Sequence, residues 1–586
     1  MKKLLALALV AVMLLGVAAC GTKEVAKVNA PTLTYLYNTS DGHKAIGEYL
    51  QSALATAGIT MNLENQEWNT FLNTRKNGDY FVARNGWLAD YNDPICFLDM
   101  WTSASGNNDV QFGKGEHANL KMYNLDLTPY GGENIKNGTW AETYDVLIAK
   151  IKATTKAEDR YAMMHLAEDM LMETGCIVPL YYYTDLYMID DSVTGFFSNP
   201  LGYKYLMYTK VNGATDSINV CLASEPDTLD PALNSAVDGA TMVAHLFSGL
   251  AKWAQDANGK LVIVADAAEE LVEGVVNADG TVTYTYTIKE GMKWSNGDVV
   301  KASDFVNAWK RAASAELGAD YGYMFEVVKG YGTENKDDLA VSADDAARTI
   351  TVTLNNAVAY WNELLAFPTY YPVHPSNLAN ENWATSPATY ISNGAYTMDS
   401  WTHDSVITLK KNPNYHGAAD VTMNVINCYL SDDSNNMLAN FKKGDWLLID
   451  DVPTAEIATL KTAYPTEFVI AGQIGTYYVC WNVNKDLLPG TTLTGVEKEK
   501  AQQEIRKALG LLYDRNYICE EIGQAGQVPA SSFVAMGMTD ADGNEFYKNA
   551  NNGAGGYYDV SKEAYAANCQ KAVDVLTKYY NLTIAQ

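Results

Sequence analysis

Residues 82–94 read VARNGWLADYNDP. The stretch from 80 to 86 has the apolar and aromatic character of a strand. The residues just after it set Asp90 among Gly, Trp, Leu, Ala and Tyr, where an ionised carboxylate without a partner is costly. Upstream, residues 32–37 form a short strand rich in β-branched and aromatic side chains. The next four, NTSD, suit a helix cap, and 43–57 carry a helical pattern. Residues 58–63 and 68–77 repeat strand and helix, so this part of the chain reads as α/β.

Downstream, residues 157–174 read as an amphipathic helix and 177–183 as a buried strand. VNGATD at 211–216 has no periodicity and reads as a linker. Beyond it come a strand at 217–222, a hairpin-rich stretch at 281–294, a helix at 302–313, a strand at 349–354 and a closing helix at 561–580. At the start of the chain, Lys2 and Lys3 precede an apolar run at 4–17 and small residues before Cys20. That is the layout of a secretory signal, too short to span a membrane. The ending resembles a bacterial lipobox, so residues 1–20 are expected to be a signal peptide, Cys20 the lipidated residue and 21–30 a tether to the membrane.

With 48% apolar residues the chain builds real cores, and its length suits two to four domains. Acidic residues outnumber basic ones by 70 to 42, a field that disfavours nucleic acid and suits neutral or cationic ligands. The 39 tyrosines and 12 tryptophans are more than packing needs, and flat amphipathic rings line adaptable clefts. The cysteines match neither a CxxC metal pattern nor a disulfide framework, and most read as small buried residues. Seven scattered histidines form no metal spacing, so no metal or cofactor is expected. GxSxG, Walker and GxGxxG motifs are absent, and DADGNE at 540–545 reads as a surface turn rather than a calcium loop. A glycosidase-like pair of carboxylates stays open, since an acidic chain supplies many candidates.

Several longer strings carry a resemblance: LENQEW at 63–68, VARNGWLADYNDP at 82–94, VPLYYY at 178–183, SEPDTLDP at 224–231, KWSNGD at 293–298 and SNGAY at 392–396. Together they resemble the extracellular oligopeptide-binding receptors of ABC importers, over almost all of residues 31–586. The blocks stand in an unusual order, the family's C-terminal half coming first. The chain therefore looks circularly permuted, with the family's original ends joined through VNGATD.

The resemblance implies the two-lobed periplasmic-binding fold of class II, cluster C, hinged around a central ligand cleft. One lobe is expected from 31–184 plus 476–586. The other is expected as the continuous stretch 185–475, with a subdomain at about 250–390 and hinge crossings near Tyr183 and Gly475. It also implies a monomeric receptor, not an enzyme, that hands oligopeptides to the permease of an ABC transporter. Asp90 is the expected partner of the ligand's ammonium. Gly86, Trp87 and Leu88 from one lobe and Ser235, Ala236 and Val237 from the other are expected to sandwich the ligand backbone. Trp68, Trp87, Tyr183, Tyr321 and Tyr478 are expected around the cleft, and Arg75, Arg84 and His43 at the carboxylate end.

Three departures stand against this. Ser235 and Cys480 replace glutamates of well-known members, and residues 533–546 lack an expected lysine. Peptide length, and even the ligand class, are therefore open. A secreted hydrolase and a peptide sensor without transport are the alternative readings.

Overall fold

The computed structural model describes residues 26–222, 225–540 and 543–583. The expected signal, the expected lipidation site Cys20 and residues 21–25 of the tether lie outside the described residues.

The first elements match the sequence reading closely. Strand β1 (Leu33–Asn38) leads into helix α1 (Asp41–Thr56), whose N-cap Ser40 accepts the His43 backbone N–H. Then come β2 (Met61–Gln66), α2 (Trp68–Lys76) and β3 (Val82–Leu88). β1 pairs in parallel with β2 over its whole length, but with β3 only at Tyr35–Val82 and Leu36–Ala83. From Arg84 to Leu88, β3 thus has a strand neighbour on one edge alone among the described residues.

Two long strands dominate the molecule. β4 (Ile177–Ile189) continues six residues past the expected end of the 177–183 strand, and β12 (Phe468–Trp481) runs antiparallel to it. Five short strands lie between them in the chain on one side of the sheet: β5 (Ile218–Cys221), β8 (Tyr396–Thr402), β9 (Val406–Lys411), β10 (Val425–Tyr429) and β11 (Leu448–Ile449). Outside this sheet, β6 (Val282–Thr287) and β7 (Thr349–Leu354) pair antiparallel. The main sheet runs β8-β9-β10-β5-β11-β4-β12-β3-β1-β2. Among the described strands, only the two long ones join its halves, which gives the two-lobed periplasmic-binding fold. Their register breaks between Gly472 and Thr476, opposite Thr184 and Tyr182, so the ladder is interrupted where the halves meet.

Two glycines are dictated by close approach at this junction. A Cβ on Gly475 would lie 2.4 Å from Leu88 Cδ2, and one on Gly86 would lie 2.2 Å from Tyr183 Oη.

VNGATD, the expected linker, is an ordered turn. Asn212 and Gly213 both take positive φ, the backbone of an Asn-Gly turn, and the Val211 N–H donates to Ala214 O at 2.9 Å. At the other end of the chain, helix α7 (Tyr565–Tyr579) packs on α6 (Gly495–Leu511). Just past α7, Tyr580 bridges in parallel to Val28, whose N–H donates to Tyr579 O at 2.9 Å. Cys96, Cys176, Cys221, Cys428, Cys480 and Cys519 are buried, as expected of small apolar side chains. Of DADGNE, residues 541 and 542 lie outside the described residues; on either side of them Thr539 bridges to Glu545.

Candidate functional site

A cleft of about 740 Å³ opens between the halves of the sheet. One wall is the free edge of β3 and the loop after it, where Arg84, Gly86, Trp87, Leu88 and Asp90 all face the cavity. Opposite stand Ser235, Ala236 and Val237; Ala236 is extended and Val237 opens α4 (Val237–Leu246). Trp68, Arg75, Tyr183 and Tyr321 complete the expected residues that line it.

Asp90 is 6% exposed and accepts the Tyr323 hydroxyl at 3.1 Å. Among the described residues no lysine, arginine or histidine forms an ion pair with it. Burial pushes its carboxyl up to about 7, against the hydrogen bonds of Tyr323 and Tyr321, which hold it down. The group is therefore poised to ionise fully once a cation arrives.

Three cationic side chains line the same cavity, and two are already committed. Arg75 Nε lies 2.7 Å from Asp109 Oδ2 with both side chains buried, and Lys76 Nζ lies 2.5 Å from Asp320 Oδ2. The second pair ties α2 to the opposite wall, because Asp320 neighbours Tyr321. Arg84 is left without a carboxylate among the described residues. Its guanidinium sits 5.7 Å from the Trp68 ring and 5.5 Å from the Tyr477 ring, and Nη2 donates to His43 Nε2 at 2.7 Å. Burial and the Arg84 charge hold the His43 imidazole well below its usual value, so it is the neutral acceptor in this bond.

Two expectations need correction. His43 does not line the cleft; it stands behind Arg84 and orients it, with Tyr477 Oη 3.3 Å from its other ring nitrogen. Tyr478 does not line it either. Successive residues of β12 point to opposite faces, and Tyr478 goes into the core between Trp101 and Phe533, at ring distances of 6.1 and 5.1 Å. β12 is covered on both faces, so an aromatic there gives no clue to its direction. Cys480 lies on the same inner face, 3.5 Å from Tyr80 Oη, in surroundings that push its thiol up to about 11.

The structure adds residues the sequence reading did not single out: Lys76, Asp109, Asp320, Tyr203, Phe367 and Asp238. Asp238, in the first turn of α4, has its carboxyl raised to about 6 by burial, and it accepts the Gly239 N–H at 2.7 Å. Only an acid in a helix's first turn was available as a signal for it. Lys76 and Asp320 are 244 positions apart, and no local pattern links them. Among the described residues no cluster of His, Cys, Asp and Glu fits a metal ion.

Comparison with known proteins gives a consistent answer. The oligopeptide-binding protein OppA of Bacillus subtilis (strain 168) is 31% identical over 341 residues, 56% of this chain and 58% of that protein. The dipeptide-binding protein DppE of the same organism is 31% identical over 281 residues, 45% of this chain and 47% of its own. The chain thus spans about half the length of the curated relatives it matches. Among solved structures, the Escherichia coli murein tripeptide binding protein MppA superposes with a TM-score of 0.51 at 22% identity, over 62% of this chain and 66% of that one. Haemophilus influenzae OppA in complex with RPPGFSPFR gives 0.50 at 24% identity, over the same shares. The family model described as bacterial extracellular solute-binding proteins, family 5 Middle, matches residues 15–109 and 263–578, and the chain belongs to that family.

Proposed function

We propose that this protein is an extracytoplasmic receptor that binds oligopeptides between its two lobes and delivers them to an ABC importer, held at the membrane by lipid on Cys20. One observation carries the reading: among the described residues, a buried acid without a cation, Asp90, faces the same cavity as a base without a carboxylate, Arg84. A peptide laid along β3 and the loop after it would offer its ammonium to the acid and its carboxylate to the base. Between them lies the strand edge from Arg84 to Leu88, whose main-chain groups accept an added strand whatever its sequence. The names of the relatives, binders of oligopeptides and dipeptides, point the same way.

The lobes in this reading are 31–184 plus 476–586 and 185–475, and the chain is a circular permutant of its relatives. Two facts favour the permutation. The described ends meet at Val28 and Tyr580, and MppA and Haemophilus influenzae OppA each align with 62% of the chain, the partial cover expected of an alignment in chain order when two blocks are exchanged.

Titration calorimetry with trialanine tests the function. The expected result is binding at one peptide per chain, lost by two orders of magnitude or more when the peptide is N-acetylated, because a buried charge left unpaired costs about 3–5 kcal/mol. Hydrolysis of the peptide, or equal affinity for the acetylated form, would overturn the proposal.

A further inference from the structure

The loop carrying Asp90 is held from across the cleft by residues that do not line it. Tyr323 reaches Asp90 itself. The next residue, Tyr91, stacks on Tyr360, with ring centroids 4.3 Å apart and planes within 9°. Asn92 then donates its backbone N–H to Glu363 Oε2 at 2.7 Å. Asp93 is gripped from its own side, by a fork from Arg160 at 2.7 and 2.9 Å. The seam continues away from the cavity, where Lys152 bonds Glu326 and lies 3.1 Å from Asp99, while Asn356 Nδ2 donates to Lys152 O at 2.7 Å. Four consecutive residues thus each have a fixed partner, and three of those partners come from the 323–363 segment.

We propose that Tyr360 and Glu363 are positioning residues for ligand capture. They dock loop 90–93 when the lobes meet, so that the Asp90 carboxylate is set for the ligand's cation only in the closed form, and they slow release without touching the ligand. Stacking and the Asn92 bond act on the two residues directly after Asp90, and a side chain is held in a productive geometry only as firmly as its backbone. An open form hydrates both Glu363 and the Asn92 N–H, so these contacts count toward closure and leave the fold of each lobe alone.

This rests on the peptide-cleft reading above, and the test separates the two. Hydrogen exchange of the full chain is measured for wild type, Glu363→Ala and Tyr360→Ala, with Glu363→Gln and Tyr360→Phe retaining the acceptor and the stacked ring. The expected result is exchange in residues 90–93 faster by about tenfold in the two alanine variants, wild-type rates in the conservative pair, and unchanged protection in β1. Stopped-flow measurements with trialanine are expected to show release about tenfold faster in the alanine variants at an unchanged association rate. Equal exchange at 90–93 in all five proteins, or unchanged release of a bound tripeptide, would overturn the docking role. A wild type that ignores trialanine would count against the peptide reading, and the exchange result alone would then decide the docking.

Discussion

Two buried carboxylates in this molecule share an unusual titration and differ in everything else. Burial pushes both Asp90 and Glu168 up to about 7. Glu168 lies on α3 (Ala157–Glu173), fully buried, and one of its oxygens accepts the Ser532 hydroxyl at 2.8 Å and the Phe533 and Val534 N–H groups at 3.0 and 2.8 Å. Asp90 has only the hydroxyls of Tyr323 and Tyr321 beside it among the described residues' side chains, and an open cavity in front of it. A raised carboxyl therefore marks burial; what marks a site is an unfilled position facing a space that a ligand can enter. Glu168 serves the fold by tying a helix to the 532–534 segment.

The contrast is broken or sharpened by substitution. Asp90→Asn is expected to weaken trialanine binding by two orders of magnitude or more in calorimetry. It should leave the melting temperature unchanged or higher, because the variant removes a charge that the empty cleft does not pair. Glu168→Ala should do the reverse: binding stays intact, while denaturant melts show a loss of about 2–3 kcal/mol from the stranded donors. A loss of binding in the second variant with normal stability would erase the distinction.

Titration with pH sharpens it further. Both groups hold their protons more tightly folded than unfolded. Folding therefore takes up protons between about pH 4 and 7, and stability falls as pH rises through that window. Asp90→Asn should remove its share of that fall in melts of the empty protein. Binding a cation, in contrast, needs the ionised Asp90, so peptide affinity should drop about tenfold per pH unit below about 7, with proton release on binding visible in buffers of different ionisation heat. A flat affinity from pH 5 to 8 would remove Asp90 from the ligand.

The smallest effects test the correction at β12. Among the described residues the Tyr478 hydroxyl is buried without a hydrogen-bond partner, so Tyr478→Phe should leave trialanine affinity unchanged and raise stability by about 0.5 kcal/mol. A tenfold loss of affinity would return Tyr478 to the cleft.

Much of this is legible in the chain itself. The alternation of strands and helices from 32 to 88, the isolated acid in an apolar string and the cap at Ser40 all depend on neighbours in the chain, and local chemistry sets them. The stretch at 211–216 reads as a linker because a turn has no periodicity, and its Asn-Gly pair is the clue to the ordered turn found there. His43 and Tyr478 are misplaced for another reason. On a strand covered on both faces, or one turn into a helix, residue type says that a side chain is buried and not which way it faces.

By itself the sequence determined the α/β class, the candidate acid and the family, because period, composition and short motifs are properties of contiguous residues. Only the tertiary structure decided which charges were already spent. The commitment of Lys76 to Asp320 and of Arg75 to Asp109, and the freedom of Arg84 and Asp90, come from how distant segments meet across the two long strands, and that pairing is settled by folding rather than by adjacency.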